Sequence, residues 1–296
     1  MEKIIVRVPA STSNLGPGFD CLGVALRIYN DVTVSRGLKT PLPDIVREAA
    51  HLFFKHTRSR KFPFSCSLVE RVPRCRGLGS SATIRLSVLH GLNELSGRPL
   101  DRLSMFHLCA ELEGHPDNAA PASFGGFTVA RGHQVQRFHV SRQLHFVLLV
   151  PDFEIATQRA RKILPTKISR PAAVQSCGNA CAITAAFASG HYENLRGVFA
   201  DSFHQRFREK LIPFLPDVIA AAQRAGALGA FLSGSGSTIC AVMLKHREKV
   251  VAAMLRAARS TPARAIIATA DNRGVQVLPV RNWRSTPVRV GPIRNR

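Results

Sequence analysis

Alternating apolar and polar residues predict several β-strands along the chain. Residues 62–68 place large apolar and small polar side chains on opposite faces, which is typical of a half-buried strand. Pro63 places this strand at a sheet edge or at its own start, because proline cannot donate a ladder hydrogen bond. Further strands are predicted at residues 3–8, 144–150, 237–244, 264–270 and 275–280.

Helical periodicity is clearest over residues 80–96, and Gly97 is a suitable C-terminal stop for that helix. Its apolar stripe consists of Ile84, Val88, Leu92 and Leu95. Further helices are predicted at residues 100–113, 172–189, 192–201, 216–225 and 246–259. Strands and helices are therefore mixed throughout the chain. Pro151 is the best boundary, and it divides the chain into residues 1–150, residues 151–280 and a basic tail at 281–296.

The net charge of the chain says more about its function than the overall composition does. Hydrophobic residues make up 45% and charged residues 20% of the 296 residues, which excludes a disordered or fibrous chain. There are 41 Lys and Arg against 19 Asp and Glu, so the formal net charge is +22. A surplus of this size points to a nucleic acid, an acidic surface or an acidic small molecule such as a nucleotide.

Neither a membrane span nor a secretory signal is expected. Clean apolar runs such as Phe146 to Val150 are far shorter than the roughly 20 residues that a membrane helix needs. The apolar patch before Pro9 is too short for a signal peptide. The seven cysteines form no Cys-x-x-Cys motif and are interpreted as buried, reduced, structural thiols. These features predict a cytoplasmic protein without a membrane partner.

A glycine loop at residues 72–83 lies between a predicted strand and the helix that begins near Ser80. Gly77 and Gly79 allow close approach of the backbone to a ligand, and the free N–H groups of the helix start favour an anion. Arg74 and Arg76 supply cations, although no lysine follows the last glycine as in a Walker loop. The alternatives are a polyphosphate site and an ordinary Gly-Ser turn.

Three other segments carry candidate chemistry. The N-terminal loop (residues 9–23) contains Asp20, which is either a functional acid or a capping residue. The serine loop (residues 232–240) is either a flexible turn or a second wall of the same site. The acidic segment (residues 111–127) combines acids with His115, which suits metal binding, acid–base chemistry or a satisfied loop network.

Taken in order, these segments resemble homoserine kinases of the GHMP kinase superfamily. The matching patterns are PxSxxNLGPGFDxLGxAL at 9–26, PxxxGLGSSA at 73–82, EGHPDNxAPAxxGGF at 113–127, TxxAR…LP at 157–165, HQxxRxxLIP at 204–213 and SGSGxT at 233–238. The resemblance extends from residue 9 to about residue 240, and an ordered set of this kind is far more specific than any single glycine loop.

The resemblance implies an α+β fold with two domains. Residues 1–150 would be a βαβ-type ATP-binding domain, and residues 151–280 a ferredoxin-like domain. The implied reaction is ATP-dependent phosphorylation of the L-homoserine hydroxyl, which gives O-phospho-L-homoserine for threonine biosynthesis. The implied partners are ATP, Mg²⁺ and L-homoserine, and a homodimer is allowed.

The resemblance also implies the site residues. The nucleotide triphosphate would be held by Pro73, Arg74, Cys75, Arg76, Gly77, Leu78, Gly79, Ser80, Ser81 and Ala82. Ser81 and Glu113 would bind Mg²⁺, and Asn118, Glu113 and Arg161 form the implied catalytic set. The amino-acid substrate would contact Asn14, Asp20, His115, Thr157, Arg161, Arg208, Ser235 and Gly236. Asp20 would pair with its ammonium group, and the two arginines with its carboxylate.

Direct in-line transfer is the expected mechanism, with positioning and electrostatics favoured over a strong general base. Asp117 would then have a structural or orienting role beside Asn118. Three departures from the family pattern bear on activity and substrate choice: Thr83 with Arg85, the segment at 174–180, and Ser237. Arg85 is expected to face solvent, or else to add a phosphate contact. Ser237 is expected to leave the serine loop less rigid than proline would.

Two other functions were weighed. A kinase of the same superfamily for a mevalonate-type or sugar-alcohol substrate would not need a set of anchors for a zwitterion. A nucleic-acid-binding protein would interleave basic residues with aromatic stacking groups, but the chain has two Tyr and one Trp. Homoserine phosphorylation is therefore the favoured function.

Overall fold

The computed structural model describes residues 2–37, 41–259 and 261–279, together with the backbone of residues 293–294. Apart from that short segment, the predicted basic tail lies outside the described residues. The described strands are β1 (Lys3–Ser13), β2 (Leu22–Arg36), β3 (Phe64–Val69), β4 (Phe127–Arg131), β5 (Gln134–Phe138), β6 (His145–Pro151), β7 (Gly229–Leu232), β8 (Ile239–Met243), β9 (Ala263–Thr269), β10 (Gln276–Leu278) and β11 (Ile293–Arg294).

The helices lie between these strands and cover the two sheets. Within the described ranges they are α1 (Asp44–Thr57), α2 (Ser80–Leu95), α3 (Arg102–Glu113), α4 (Ala119–Phe124), α5 (Thr157–Lys162), α6 (Arg170–Ser189), α7 (Gln205–Arg208), α8 (Leu215–Arg224) and α9 (Arg247–Ala257). None of them combines the length and apolar character that a membrane span needs.

The first sheet has the order β10-β1-β2-β4-β5, and β3 also pairs with β2. Strand β1 covers one edge of the long β2, so β3 and β4 share the other edge. Because both are antiparallel to β2, they run in the same direction and are joined through α2, α3 and α4. This gives the N-terminal half its βαβ character and places the start of α2 beside the end of β1.

The second sheet has the order β11-β9-β6-β8-β7, and all its pairs are antiparallel. The strands β6, β7, β8 and β9 follow the ferredoxin-like arrangement. In the chain, α8 lies between β6 and β7, and α9 lies between β8 and β9. Both helices pack on one face of the sheet through a core that includes Val218, Val251 and Met254. The ferredoxin-like half expected from the sequence is therefore present.

A shared apolar core joins the two halves. Phe127 of β4 stacks on Phe187 of α6 with ring centroids 4.2 Å apart. Both rings are fully buried in a cluster that also contains Phe146 of β6. The chain passes from the first sheet to the second after β5 and returns to the first sheet with β10. The shared core therefore lies between two sheets that the chain connects more than once. The proposed division at residue 150 stays a prediction.

Most predicted elements are present, but the helix predicted at 192–201 is wrong. Only Tyr192–Leu195 forms a short 3₁₀ turn. Gly197 then takes a φ of +81°, and Phe199 enters the shared core, where it stacks on Phe231 at 5.2 Å. A continued helix would move Phe199 away from that ring, so tertiary packing overrides the local pattern.

Acid is expected to destabilise the fold through His90, a buried residue of α2. Burial, together with the charge of Arg102, lowers the pKa of His90 to about 3. Its folded-state pKa lies below that of the unfolded chain, so its stabilisation is present above about pH 6.5 and is lost as the pH falls towards 3. Between pH 7 and pH 4, the free energy of unfolding should fall by about 3 kcal/mol less in His90→Leu than in the unchanged protein. Urea unfolding at both pH values measures this, with the exposed His191→Gln as control. An unchanged pH dependence in His90→Leu would contradict the prediction.

Candidate functional site

A cavity of about 420 Å³ lies where the glycine loop, the N-terminal loop and the serine loop meet. It brings together most of the predicted site residues: Asn14, Asp20, Arg74, Cys75, Arg76, Gly77, Leu78, Gly79, Ser80, Ser81, Glu113, His115, Asn118, Thr157, Arg161, Arg208 and Ser235. Pro73, Ala82 and Gly236 are outside its lining. Pro73 faces a neighbouring pocket, Ala82 is fully buried in the helical core, and Gly236 packs near Ile212.

The start of α2 is arranged for an anion. Gly79 has a φ of +67°, and no side chain caps the helix. The first N–H groups of this 16-residue helix are therefore available to a ligand that reaches the cavity. The partial positive charge of the helix start adds to this preference, so the arrangement favours phosphate over an ordinary capped turn.

The three loops pack so tightly that only glycine fits at two positions. A Cβ on Gly77 would lie 2.0 Å from the carbonyl oxygen of Ser233, and one on Gly79 would lie 2.2 Å from Ser11 Oγ. Ser233 Oγ donates to the carbonyl of Gly77 at 2.7 Å, which ties the serine loop to the glycine loop. The serine loop is thus a second wall of the same site.

Ser237 connects the serine loop to a neighbouring segment through its side chain. It is fully buried, and its hydroxyl donates to the carbonyl oxygen of Phe153 at 2.7 Å. This hydrogen bond fastens the loop to the segment that follows β6.

The two arginines of the glycine loop are engaged by protein carboxylates. Arg74 is an exposed partner of Glu70 at 2.6 Å. Arg76 donates to the carbonyl of Pro151 at 2.9 Å and lies 3.2 Å from Glu154. Their charges are therefore largely compensated, and the loop amides are the main groups for an anion.

Ser81 and Glu113 form a pair of hard oxygen ligands beside the glycine loop. Ser81 Oγ donates to Glu113 Oε2 at 2.7 Å, and both residues line the cavity. Oxygen donors of this kind suit Mg²⁺, whose remaining ligands would be water and phosphate. The residues present therefore fit the expected metal.

Arg85 does not face solvent, and that prediction is wrong. Its guanidinium donates to Glu113 Oε1 at 2.7 Å and to Glu48 Oε2 at 3.1 Å. The side chain is only 15% exposed, so it holds one oxygen of Glu113 and leaves the other directed at Ser81. No phosphate contact is needed to explain this arginine.

Asp20 and Arg161 come from distant parts of the chain and form a two-pronged ion pair at the cavity wall. The two arginine nitrogens lie 2.6 and 3.1 Å from the carboxylate oxygens. Both side chains remain about one-third exposed, so the protein loses little stability when this ion pair separates. Opposite charges side by side are the arrangement that a zwitterionic ligand needs.

Arg208 is a buried cation with no carboxylate within 4.0 Å in the described part of the chain. Its guanidinium donates to the carbonyl oxygens of Ala160 and Gly234 at 3.1 and 2.9 Å. Burial, reinforced by the positive charge of Arg161, lowers the pKa of Arg208 to about 10, so it is still charged at neutral pH. A buried charge is costly unless it is paired, so this position favours an anionic ligand group.

Asn14 lines the cavity and also connects the N-terminal loop to the serine loop. Its amide nitrogen donates to the carbonyl of Gly234 at 3.1 Å, and its oxygen accepts from the backbone of Asp20 at 3.0 Å. Asn14 therefore fixes the position of Asp20. Thr157 Oγ1 lies 3.5 Å from Ser235 Oγ at the exposed mouth of the site.

His115, Asp117 and Asn118 form a network at the floor of the cavity. His115 Nδ1 and Asp117 Oδ1 are 2.6 Å apart, and Asn118 Nδ2 donates to the same oxygen at 3.3 Å. Burial opposes a charged ring, but the hydrogen bond and charge of Asp117 outweigh it and raise the pKa of His115. The same contact outweighs burial at Asp117 and lowers the pKa of its carboxyl group. A strongly paired carboxylate of this kind is a weak base.

Asn118 bridges the network to the N-terminal loop. Its oxygen accepts from Ser11 Oγ at 2.8 Å, and its nitrogen donates to Ser13 Oγ at 3.1 Å. Gly79 lies against the same oxygen. The amide is therefore fixed beside the glycine loop.

One wall of the cavity was missed by the sequence reasoning. It is apolar and is formed by Val32, Pro43, Ile45, Val46, Cys66, Leu68 and Ile84. These residues belong to β2, β3, α2 and the start of α1, so no single motif contains them. The only signal for this wall in the sequence was the apolar–polar alternation at residues 62–68. It predicts one apolar face of a strand, and the other elements supply the rest of the wall. A flat apolar group would fit against this wall.

Family comparisons agree with this geometry. The family model of the GHMP kinases N terminal domain matches residues 44–126, and that of the GHMP kinases C terminal domain matches residues 183–260. The first match contains the glycine loop and Glu113, and the second contains Arg208 and the serine loop.

Curated relatives and solved structures cover nearly the whole chain. Homoserine kinase of Caldicellulosiruptor bescii is 38% identical over 94% of this chain and 98% of its own length. Homoserine kinase of Clostridium beijerinckii is 37% identical over 83% and 88%. The crystal structure of homoserine kinase from Cytophaga hutchinsonii superimposes with a TM-score of 0.85 at 26% identity, over 94% of this chain and 98% of that one. The chain therefore belongs to the homoserine kinase family of the GHMP kinases.

Proposed function

We propose that this protein transfers the γ-phosphoryl group of ATP to the side-chain hydroxyl of L-homoserine, giving O-phospho-L-homoserine and ADP for threonine biosynthesis. One observation carries the proposal: a single cavity joins an uncapped helix start to a paired Asp20 and Arg161 and to the buried cation Arg208. The first feature suits a polyphosphate, and the others suit an amino-acid zwitterion. All seven cysteines are free thiols, which supports the proposed cytoplasmic location. The prediction that they are buried is wrong for four exposed cysteines: Cys21, Cys75, Cys177 and Cys181.

The nucleotide would lie along the glycine loop. Its phosphates would accept hydrogen bonds from the first N–H groups of α2, and the hydroxyls of Ser80 and Ser81 lie at the same helix start. The adenine ring would pack on the apolar wall, between Val46 and Leu68 among others. We propose that residues 1–150 form this ATP-binding half, and residues 151–280 the second half.

Mg²⁺ would be held by Ser81 and Glu113. Bound there, it would neutralise charge on the phosphates during transfer. The role of Arg85 would be to fix the Glu113 carboxylate so that its second oxygen stays at the cavity.

L-homoserine would exchange the internal ion pair for contacts of its own. Its ammonium group would pair with Asp20, and its carboxylate with Arg161 and Arg208. Because the internal pair is about one-third exposed, little stability is lost when it rearranges. The carboxylate would complete the pairing of Arg208, which is otherwise held by two backbone carbonyls and by His204 Nδ1. His115 and Thr157 would be further contacts at the cavity wall.

Transfer itself would depend on position and charge. Asn118 is fixed beside the glycine loop by Ser11 and Ser13, where it can orient the acceptor hydroxyl. Asp117 is committed to His115 and is poorly suited to remove a proton. The loop amides, the metal and the nearby cations would stabilise the charge of the moving phosphoryl group.

Asn118→Ala is expected to lower kcat by about 100-fold while KM for both substrates stays within about threefold. The amide orients the reacting hydroxyl and contributes little to ground-state binding. Asp117→Asn, its matched control, should keep activity within about tenfold because the amide preserves the shape of the network. Steady-state kinetics with both substrates varied measures this. Loss of all turnover in a folded, substrate-binding Asp117→Asn would make Asp117 the base and contradict the assignment.

A substrate screen tests the proposed function. ADP release from MgATP is coupled to a spectrophotometric assay with L-homoserine, L-serine, L-threonine, mevalonate and galactose. We expect turnover with L-homoserine at least about 100-fold above that with mevalonate or galactose, since neither carries an ammonium group for Asp20. Turnover of another acceptor with none of L-homoserine would refute the proposal.

A further inference from the structure

We propose that the protein has a second anion site, separate from the catalytic cavity, that binds a small phosphate-bearing ligand. The site is a basic pocket of about 310 Å³, which lies beside the junction of the two sheets. It is lined by Arg7, Arg27, Tyr29, His139, Arg142, Ala270, Asp271, Asn272, Arg273 and Gln276. None of these residues lines the catalytic cavity.

Uncompensated positive charge is the first reason for this assignment. Arg27, Arg142 and Arg273 are exposed, and no carboxylate of the described residues lies within 4.0 Å of any of them. The fourth arginine, Arg7, pairs with the buried Asp31 at 2.7 Å. Three arginines directed at one concave space repel each other unless an anion joins them, and guanidinium groups match phosphate geometry well.

The single acid that lines the basic pocket does not compensate these charges. Asp271 is buried, and its carboxylate accepts hydrogen bonds from Tyr29 Oη at 2.9 Å and from the backbone nitrogens of Arg273 and Gly274 at 2.8 and 2.7 Å. Burial and the charge of Asp271 raise the pKa of Tyr29 to about 12, so its phenol remains a donor to that carboxylate. Asp271 is therefore a structural anchor for the loop after β9.

That loop is held firmly in place, so the basic pocket is largely preformed. The backbone nitrogen of Asp271 donates to Ala25 of β2 at 2.9 Å, and its carbonyl oxygen accepts from Gly126 at 2.7 Å. Asn272 donates to the carbonyl of Val140 at 2.8 Å, which joins the loop to the segment between β5 and β6. The backbone around the pocket therefore needs little rearrangement, and ligand binding restricts mainly the arginine side chains.

A high arginine content alone does not produce such a pocket. The pocket behind the glycine loop also contains three arginines, but Asp152 and Glu154 lie beside them. There Arg76 contacts Glu154 at 3.2 Å, and Arg74 pairs with Glu70 at 2.6 Å. The basic pocket differs because its exposed arginines lack such partners in the described structure.

A small ligand fits better than a single-stranded nucleic acid. Among the lining residues the aromatic ring of Tyr29 is half-buried, and the guanidinium of Arg7 lies over it at 5.3 Å from the ring centroid. Single-stranded binding depends on several aromatic faces that are open for base stacking, and in the described lining only the imidazole of His139 is exposed. The shared chemistry is thus one phosphate group on a small molecule or free in solution.

Calorimetric titration with inorganic phosphate tests the site. The protein is first saturated with Mg²⁺, a non-hydrolysable ATP analogue and L-homoserine, so that the catalytic cavity is filled. We expect one further phosphate to bind, and the triple variant Arg27→Gln, Arg142→Gln, Arg273→Gln to weaken it at least 100-fold. The matched control replaces three exposed arginines elsewhere, Arg159, Arg196 and Arg224, with glutamine and so changes the net charge equally. It should change the affinity less than threefold.

Three outcomes would overturn the proposal. The first is that the saturated protein binds no phosphate. The second is that the two triple variants weaken binding equally, which would make binding an effect of net charge alone. A random 20-residue RNA that displaces phosphate and binds more tightly would instead identify a nucleic-acid surface.

If the triple variant does not fold, judged by its thermal unfolding, the single Arg142→Gln replaces it, with an expected loss of affinity of about tenfold. O-phospho-L-homoserine in place of phosphate distinguishes a phosphorylated metabolite from the free ion by its higher affinity.

Discussion

Glu113→Gln is expected to lower kcat about 1,000-fold, which corresponds to about 4 kcal/mol of transition-state stabilisation. The amide has nearly the shape of the carboxylate: its oxygen can still accept from Arg85, and its NH2 group can donate to Ser81 Oγ, so the fold is preserved. It lacks the negative charge that would hold Mg²⁺ against the phosphates. Steady-state kinetics at saturating substrates measures kcat, and calorimetric Mg²⁺ titration of the ADP-bound protein supplies a readout that does not depend on turnover.

Glu48→Gln is the matched control for this change. Glu48 is the other carboxylate partner of Arg85, but it is 55% exposed and is absent from the lining of the cavity. Its replacement should leave kcat within about twofold. If Glu113→Gln kept both its turnover and its Mg²⁺ affinity, Glu113 would not be a metal ligand.

Asp20→Asn and Arg161→Gln are each expected to raise KM for L-homoserine about 100-fold, while KM for ATP stays within about twofold. Each removes one of the two charges that a zwitterion would use. Asp20 has a φ of +57°, a conformation that asparagine tolerates well, so the first variant changes charge without straining the backbone. Kinetics with each substrate varied in turn separates the two KM values.

The double variant and a neighbouring arginine complete this experiment. Because the two side chains contact each other, the double variant should lose less than the product of the single effects. Arg159→Gln changes an exposed arginine of the same helix, α5, and should leave both KM values unchanged. An unchanged KM for L-homoserine in Asp20→Asn would remove Asp20 from the substrate site.

Local features were predicted well because they depend on residues close in the chain. The helix predicted at residues 80–96 is present as Ser80–Leu95, and the strand predicted at 144–150 is His145–Pro151. The left-handed glycines before α2 follow from the same short stretch. The anion-binding helix start was therefore accessible without any tertiary contact.

Arg85 shows where that reasoning stopped. Its partners, Glu113 and Glu48, are 28 and 37 residues away in the chain. Helical periodicity reports which face of α2 is apolar, but it does not report which other helices bring acids to the opposite face. A solvent-exposed position was the natural expectation, and packing of α1 and α3 against α2 made it a half-buried ion pair.

Likewise, only the total charge of the chain is known from the sequence, and the fold determines where that charge lies. A net charge of +22 suggested an acidic partner but gave no place for one. The structure assigns Arg208 and Arg161 to the catalytic cavity, and it gathers Arg27, Arg142 and Arg273 from three separate segments at the basic pocket.

The glycine loop, the order of the motifs and the family to which they point could all be read from the amino-acid sequence alone. Those features depend on backbone conformations and residue types within a few positions of one another. Only the tertiary structure decided the apolar wall, the Asp20–Arg161 pair, the partners of Arg85 and the basic pocket. Each of these joins side chains far apart in the chain, and their meeting depends on how the two sheets and their helices pack.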